Sequence, residues 1–247
     1  MPLLIGGLMN GLVVGLDPRQ LFLDISEHQP VDFSKALLQG CNQSTVKNSI
    51  LALRRGPIRY RRNAMIVCEG DPTEYILLVV SGVARSGRTN RDGSCHIAAF
   101  HFPGELFGWS CDLAHSLFAE AVTETLILFL KRSTLLGTAL RDSRIANYLL
   151  TATTNELRRA QENSLMMGRP AGCRVATFLI DLSIRMGKSK YLDLPMPYRD
   201  IADHLGLTVE TLSRNITALE KSGSIARSSC RRLILRDRAS LIRMAGR

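Results

Sequence analysis

Residues 196–225 read MPYRDIADHLGLTVETLSRNITALEKSGSI, two short helical patterns on either side of a Gly-Leu turn. Pro197 suits the opening of the first helix, because the opening turn has no intrahelical acceptor for the N–H that proline lacks. Ile201, Ala202 and Leu205 supply its inward face. Gly206 stands where a left-handed C-cap is expected, Leu207 plugs the turn, and Thr208 is a natural N-cap for the next helix. In that second helix Leu212, Ile216 and Leu219 recur at helical spacing, which leaves Val209, Glu210, Ser213, Arg214 and Thr217 on the opposite side. The layout is that of a helix-turn-helix whose second helix suits a major groove. A carboxylate accepts from cytosine N4, and a guanidinium forks onto guanine O6 and N7.

A simpler reading competes for single residues. Glu210 in a first turn favours the helix dipole, and Arg214 four residues on can pair with it on a solvated face. The neighbouring features decide for base readout by Val209, Glu210, Ser213 and Arg214. After the second helix, IARSSCRRLIL over 225–235 reads as two short strands around a polar turn, a wing. Arg227, Arg231 and Arg232 there, with Thr208, Thr211 and Thr217 on the helix, are expected to face phosphate and set the register. Charge follows the motif: residues 169–247 hold fifteen Lys/Arg against seven Asp/Glu, whereas residues 1–168 hold seventeen against fifteen. A basic C-terminal third beside a nearly neutral remainder is the footprint of phosphate contact. No basic amphipathic segment with an exposed aromatic face points to a membrane surface.

At 247 residues, 45% hydrophobic and 22% charged, the chain can bury a sizeable core in one or two domains. Its six cysteines, at 41, 68, 95, 111, 173 and 230, come no closer than sixteen residues, so no compact metal-ligand spacing exists and reduced cytoplasmic thiols are expected. The first sixteen residues are nearly all apolar or Gly but lack an initial Lys or Arg and are short for a bilayer span. Residues 1–40 are expected to be a mobile extension, with Met9 an alternative start.

From about Leu51 to Leu130 the texture changes to short β-rich runs. Strands are expected over 59–68, 75–80, 83–85, 96–102 and 125–130, with turns at Gly70-Asp71-Pro72, Ser81-Gly82, Asp92-Gly93 and Pro103-Gly104. Such spacing predicts an antiparallel β-roll over 41–140. Residues 141–168 read as one long helix, with Ile145, Leu149, Ala152, Glu156, Ala160 and Asn163 near a three-four repeat. That stripe suits a dimer seam across 142–167, and a plain core helix fits the same spacing. The fold class is α+β: roll, long helix, then a winged helix-turn-helix over 169–247. A two-fold dimer sets two reading helices about one DNA turn, roughly 34 Å, apart.

The order of these parts, with the strings CEGDPTEYILLVVSGVAR, FHFPGELFG and IADHLGLTVETLSRNITALEKSGSI, resembles the CRP/FNR superfamily of bacterial transcription regulators. Val209 to Arg214, VETLSR, looks like the recognition helix of its FNR and FixK-like branches. The resemblance implies a homodimer on a palindrome like TTGAT-N4-ATCAA, with RNA polymerase as a further partner. Glu210 and Arg214 would then read the G·C step, and Ser213 and Val209 would meet neighbouring thymines or the backbone.

The ligand residues of the relatives are where the chain departs. Cyclic-nucleotide-binding members follow Gly-Glu-Leu with an Arg-Ser pair that holds the cyclic phosphate. Here Gly104-Glu105-Leu106 is followed by His115-Ser116, with Glu120 close by. A mostly neutral imidazole is a poor substitute for a bidentate guanidinium, so no cyclic nucleotide is expected. Iron-sulfur members use three N-terminal cysteines plus one in the roll, whereas this chain has Cys41 alone before the roll and Leu128 near the later position. An FNR-like reading helix without cluster cysteines is the FixK-like pattern. It implies an activator without a cofactor, serving genes of microaerobic respiration, denitrification or nitrogen fixation. The alternatives are a haem or nitric oxide sensor with His28, His96, His101 or His115 as a ligand, and a thiol switch at Cys173 or Cys230, whose arginine neighbours favour thiolate at Cys230. From another class come a small-ligand module and an enzyme built on His101, Cys111 and Asp112. No nucleophile elbow, Gly-rich phosphate loop or HExxH helix supports the enzyme.

Overall fold

The structure, a computed structural model, describes residues 54–246 except 91–94, 111, 188 and 230. The expected N-terminal extension, Met9, His28, Cys41, Cys111 and Cys230 lie outside the described residues. Eight strands come first: β1 (Arg54–Tyr60), β2 (Met65–Val67), β3 (Tyr75–Ser81), β4 (Ala84–Thr89), β5 (Cys95–His101), β6 (Leu106–Phe107), β7 (Phe118–Ala121) and β8 (Thr125–Lys131). They form two four-stranded antiparallel sheets, ordered β1-β8-β3-β6 and β2-β7-β4-β5. Helices α1 (Arg132–Ala139) and α2 (Ser143–Met166) follow. Then come α3 (Ala171–Arg185), β9 (Tyr191–Asp193), α4 (Tyr198–His204), α5 (Val209–Lys221), β10 (Ile225–Ser229), β11 (Arg232–Leu235) and α6 (Arg238–Met244).

The roll departs from the expected strands in two places. The single strand expected over 59–68 is two, because Asn63 takes the left-handed conformation at φ 62°, which asparagine tolerates better than most residues. Its N–H donates to the Ala121 carbonyl at 2.7 Å, and the chain crosses there from one sheet to the other. The strand expected over 83–85 runs on to Thr89 through Gly87. A Cβ at Gly87 would come within 2.3 Å of the His96 carbonyl oxygen, so this glycine permits close strand approach instead of ending the strand. The two-residue β6 and the short β7 and β9 were too brief to register as apolar periods.

Ile76, Leu78, Val80, Leu128 and Leu130 of the roll pack with Leu135 of α1 and with Ile145 and Leu149 of α2. Full burial of such a side chain is worth roughly 1.5–3 kcal/mol, so this cluster anchors the start of the long helix to the roll. Asp142 caps α2, accepting from the Arg144 N–H at 2.9 Å. The N-terminal half of the three-four repeat packs on the chain's own roll, as the core-helix alternative expects. Ile145 and Leu149 are buried, Ala152 packs on the same core, and Glu156, Ala160 and Asn163 line a cavity, with Ala160 itself exposed. The exposed leucines of α2 are Leu150, Leu157 and Leu165; at 3.6 residues per turn the first two lie roughly 100–120° round the helix from the inward stripe and Leu165 nearly opposite it.

A further core runs without a break from the roll into the C-terminal elements. Val83, Ile97, Phe100, Phe102 and Val122 cluster with Phe178, Leu182, Met196, Ile201, Leu212, Ile216 and Leu233. The rings of Phe100, Phe178 and His204 meet at this seam, at centroid distances of 5.3 to 6.3 Å.

Candidate nucleic-acid interface

The two helices expected over 196–222 form as α4 and α5. Pro197 precedes the first helical residue, and Ile201 and Ala202 are buried. Gly206 lies at φ 59°, and a Cβ there would come within 3.2 Å of Met167 Sδ. The Leu207 N–H returns to the Ala202 carbonyl at 2.8 Å, closing the left-handed cap. One contributor could not be read from local sequence: the Arg174 guanidinium, on α3, donates to the Leu205 and Gly206 carbonyls at 2.7 and 3.3 Å. It occupies acceptors that the end of a helix leaves open.

Thr208 caps α5, its hydroxyl accepting from the Thr211 N–H at 3.2 Å. Leu212, Ile216 and Leu219 are buried, as their spacing required. The opposite face is open: Val209, Glu210 and Arg214 are exposed, while Ser213, Thr211 and Thr217 are half-buried. The Glu210 carboxyl is held below the ordinary carboxylate range by its own backbone N–H and the Thr208 hydroxyl, with Arg214 adding to the effect. It is therefore an ionised acceptor gathered over the first turn of the helix, where the dipole favours it. Among the described residues no ion pair links it to Arg214.

The wing is a three-stranded sheet ordered β10-β11-β9, because β9 adds a strand from before the helix-turn-helix. Arg232 forks onto Asp193 of β9 at 2.6 and 3.1 Å, which pins β11 to β9 and lowers the Asp193 carboxyl. Arg227 lies 3.9 Å from Glu220. Arg231 is exposed at the tip, with no carboxylate partner among the described residues. The structure thus brings Val209, Glu210, Ser213 and Arg214 together on one face, and gives the three wing arginines different surroundings. Cys173 is half-buried in the first turn of α3.

The sensor candidates are mostly internal. His101 is buried, stacks on Phe107 at 4.2 Å and meets Ser86 Oγ at 2.8 Å. Desolvation pushes its pKa down to about 3. His115 is also buried, and burial lowers it; His96 is exposed on β5. Leu128 is fully buried in the roll core. Glu105, the acid of Gly-Glu-Leu, accepts from Arg185 of α3 at 2.7 and 2.9 Å, from Arg159 of α2 at 2.8 Å and from the Phe102 N–H at 2.9 Å. Sequence reading had weighed it only as a ligand residue. Its partners lie 54 and 80 positions downstream, and no local pattern announces them.

Two family models match the chain: a Crp-like helix-turn-helix domain over residues 173–244 and a cyclic nucleotide-binding domain over residues 57–142. The nitrogen fixation regulation protein FixK of Azorhizobium caulinodans is 39% identical over 209 residues, 82% of this chain and 84% of its own. The FixK of Rhizobium meliloti is 39% identical over 168 residues, 68% of this chain and 76% of its own. The structure of FixK2 from Bradyrhizobium japonicum superposes with a TM-score of 0.72 at 39% identity, covering 77% of this chain and 96% of that one. These are regulators and not enzymes, and the helix-turn-helix domain carries DNA binding. No helix among the described residues is long and apolar enough to cross a membrane. A roll of two antiparallel sheets, a long helix and a capped reading helix beside a wing, matched over most of its length by FixK proteins, makes this chain a member of the CRP/FNR family of transcription regulators, in its FixK-like group.

Proposed function

We propose that this protein is a cytoplasmic homodimer that activates transcription from a palindrome like TTGAT-N4-ATCAA. Its genes would serve microaerobic respiration, denitrification or nitrogen fixation, the last being the process that the names of its FixK relatives print. The observation that carries the reading is the outer face of α5. An ionised Glu210 and an exposed Arg214 stand one turn apart on a helix whose other face is buried. Those two groups complement the cytosine and guanine of a single G·C step. Ser213 and Val209 then meet neighbouring thymines or backbone, while Thr208, Thr211, Thr217, Arg227 and Arg231 contact phosphate. Arg232 holds the wing sheet and adds the remainder of its charge.

Dimerisation is supported by the exposed leucines of α2, since large apolar groups recurring on one exposed helix face mark a protein interface. Binding without an effector is supported by Glu105, whose carboxylate is already satisfied by two arginines and a backbone N–H. RNA polymerase is the further partner in this reading.

A fluorescence anisotropy titration of a duplex bearing TTGAT-N4-ATCAA against one with scrambled half-sites, at two salt concentrations and with no added small molecule, tests the proposal. Tighter, salt-sensitive binding to the palindrome is expected. Equal affinity for both duplexes would overturn it.

A further inference from the structure

Three parts of the molecule meet at one carboxylate. Glu105 belongs to the roll, Arg159 to the long helix α2, and Arg185 to α3, the first helix of the C-terminal domain. All three side chains are largely buried. Arg185 engages Glu105 through two nitrogens, and also donates to Asp181 at 3.3 Å and to the Phe100 carbonyl. Its guanidinium lies 4.4 Å from the centre of the Phe102 ring. Arg159 adds a further donor to Oε1, which it shares with Arg185, and is itself braced by Glu156 at 2.9 Å. Two-point contacts of this kind carry geometric specificity as well as energy.

The apolar seam between roll and C-terminal elements is interrupted beside the node. A cavity of about 200 Å³ lies beside the node, lined by Phe100, Glu156, Arg159, Phe178, Arg185 and His204. The Thr177 hydroxyl, buried on its wall, has no hydrogen-bond partner among the described residues. Apolar burial is non-directional, whereas a forked ion pair fixes a geometry. A second tie lies further along the seam: Arg85 of β4 bonds both Glu120 of β7, at 2.9 Å, and Asp200 of α4. His204 Nδ1 donates to the Ile97 carbonyl at 3.1 Å.

We propose that Glu105, Arg159 and Arg185 are positioning residues that fix the angle between the DNA-reading domain and the dimer helix, and so set the half-site spacing this regulator accepts. The inference rests on the proposed palindrome reading. In a two-fold dimer the reading helices are related through α2, so any rotation of the C-terminal domain about the node changes their separation. A regulator with the node intact tolerates one spacing; without it, several spacings are accepted and none is favoured. The acid that the relatives' pattern assigns to a ligand thereby supplies an internal substitute for one.

The test uses the full-length protein and a set of palindromes in which the spacer runs from three to six base pairs, together with a duplex carrying one half-site. Wild type is expected to prefer one spacer; if it binds no palindrome selectively, the underlying function reading fails and not the node. With that control in hand, Glu105→Gln is expected to lose about tenfold in affinity for the preferred spacer, a change of 1.4 kcal/mol, with little change on the others or on the single half-site. Arg159→Gln, at a less buried member of the node, is expected to flatten the preference to a smaller degree. Circular dichroism confirms that each variant is folded. Folded variants that keep the wild-type ranking of spacers, whether all affinities fall together or none falls, overturn the proposal. If Glu105→Gln does not fold, the Arg159→Gln ranking decides the matter alone.

Discussion

At the residue scale, Arg214 and Gly206 do separable work. In the proposed reading Arg214 forks onto guanine, so with Arg214→Ala discrimination at the G·C step is expected to fall by roughly 1–3 kcal/mol per half-site. Competition with duplexes mutated at that step checks it; equal losses on specific and random DNA would make Arg214 a phosphate anchor only. Gly206→Ala acts on the fold instead. Its φ of 59° and the 3.2 Å approach to Met167 Sδ both oppose a Cβ, and a left-handed alanine costs about 1–2 kcal/mol. A lower thermal midpoint with unchanged half-site ranking is the expected outcome. His204 adds a pH dependence. Desolvation is the main cause that holds its folded pKa at about 4, from an ordinary 6.5. The native state therefore binds fewer protons than the unfolded chain between those values. Stability is full above pH 6.5 and declines as the pH falls towards 4, by on the order of 3 kcal/mol, and His101 deepens the same decline because its own value lies near 3. Urea midpoints across that range should fall for wild type and fall less for His204→Gln. Parallel slopes would mean that the imidazole is not the titrating group.

At the element scale, the wing and the reading helix are expected to separate affinity from specificity. Arg231 stands at the wing tip without a carboxylate partner among the described residues, so Arg231→Ala should weaken binding to all duplexes alike and reduce the slope of log affinity against log salt by about 1 per contact. Arg232→Ala should instead loosen the β9–β11 edge, because Arg232 is forked onto Asp193. A salt slope insensitive to Arg231 would remove that residue from the phosphate interface. These elements differ in how far the sequence revealed them. The helix-turn-helix was legible because a cap, a left-handed glycine and a three-four period are all local signals, and each acts within a few residues of where it is read. The third wing strand was not legible. Tyr191–Asp193 is three residues long, and it is a strand only because Arg232 to Ile234 pair with it some forty positions later. The same reason hid the break at Asn63 and the ties of Glu105, since the partners that define them come from distant parts of the chain. For the long helix the period left two readings, a seam between copies or a core helix, and Ile145 and Leu149 fit the second. A stripe at three-four spacing says that one face is covered, and says nothing about whether the covering surface is the chain's own roll or a second copy.

At the scale of the whole molecule, the packing of α2 on the roll narrows the dimer prediction to one part of its surface. The inward stripe of α2 is already occupied, by the roll core at Ile145 and Leu149 and by the Glu105 node at Arg159. What remains for a partner is Leu150, Leu157 and Leu165, which are 66%, 57% and 76% exposed. Leu150 and Leu157 are seven residues apart, the repeat that a pair of supercoiled helices requires. A charge at Leu157 would be buried against its own copy across the two-fold axis, where like charges repel in a poorly solvated setting. Leu157→Glu is therefore expected to sediment as a monomer, and because the leucine is exposed in the single chain, its circular dichroism and thermal unfolding should match wild type. Loss of the dimer makes the second half-site contact a separate bimolecular event, so the effective concentration supplied by the first contact disappears. Affinity for the full palindrome should then drop to that for a single half-site, while the ranking of half-site sequences, which α5 alone sets, stays as it was. A variant that remains dimeric would place the seam on another face, and one that loses half-site ranking as well would show that the reading helix depends on its partner copy.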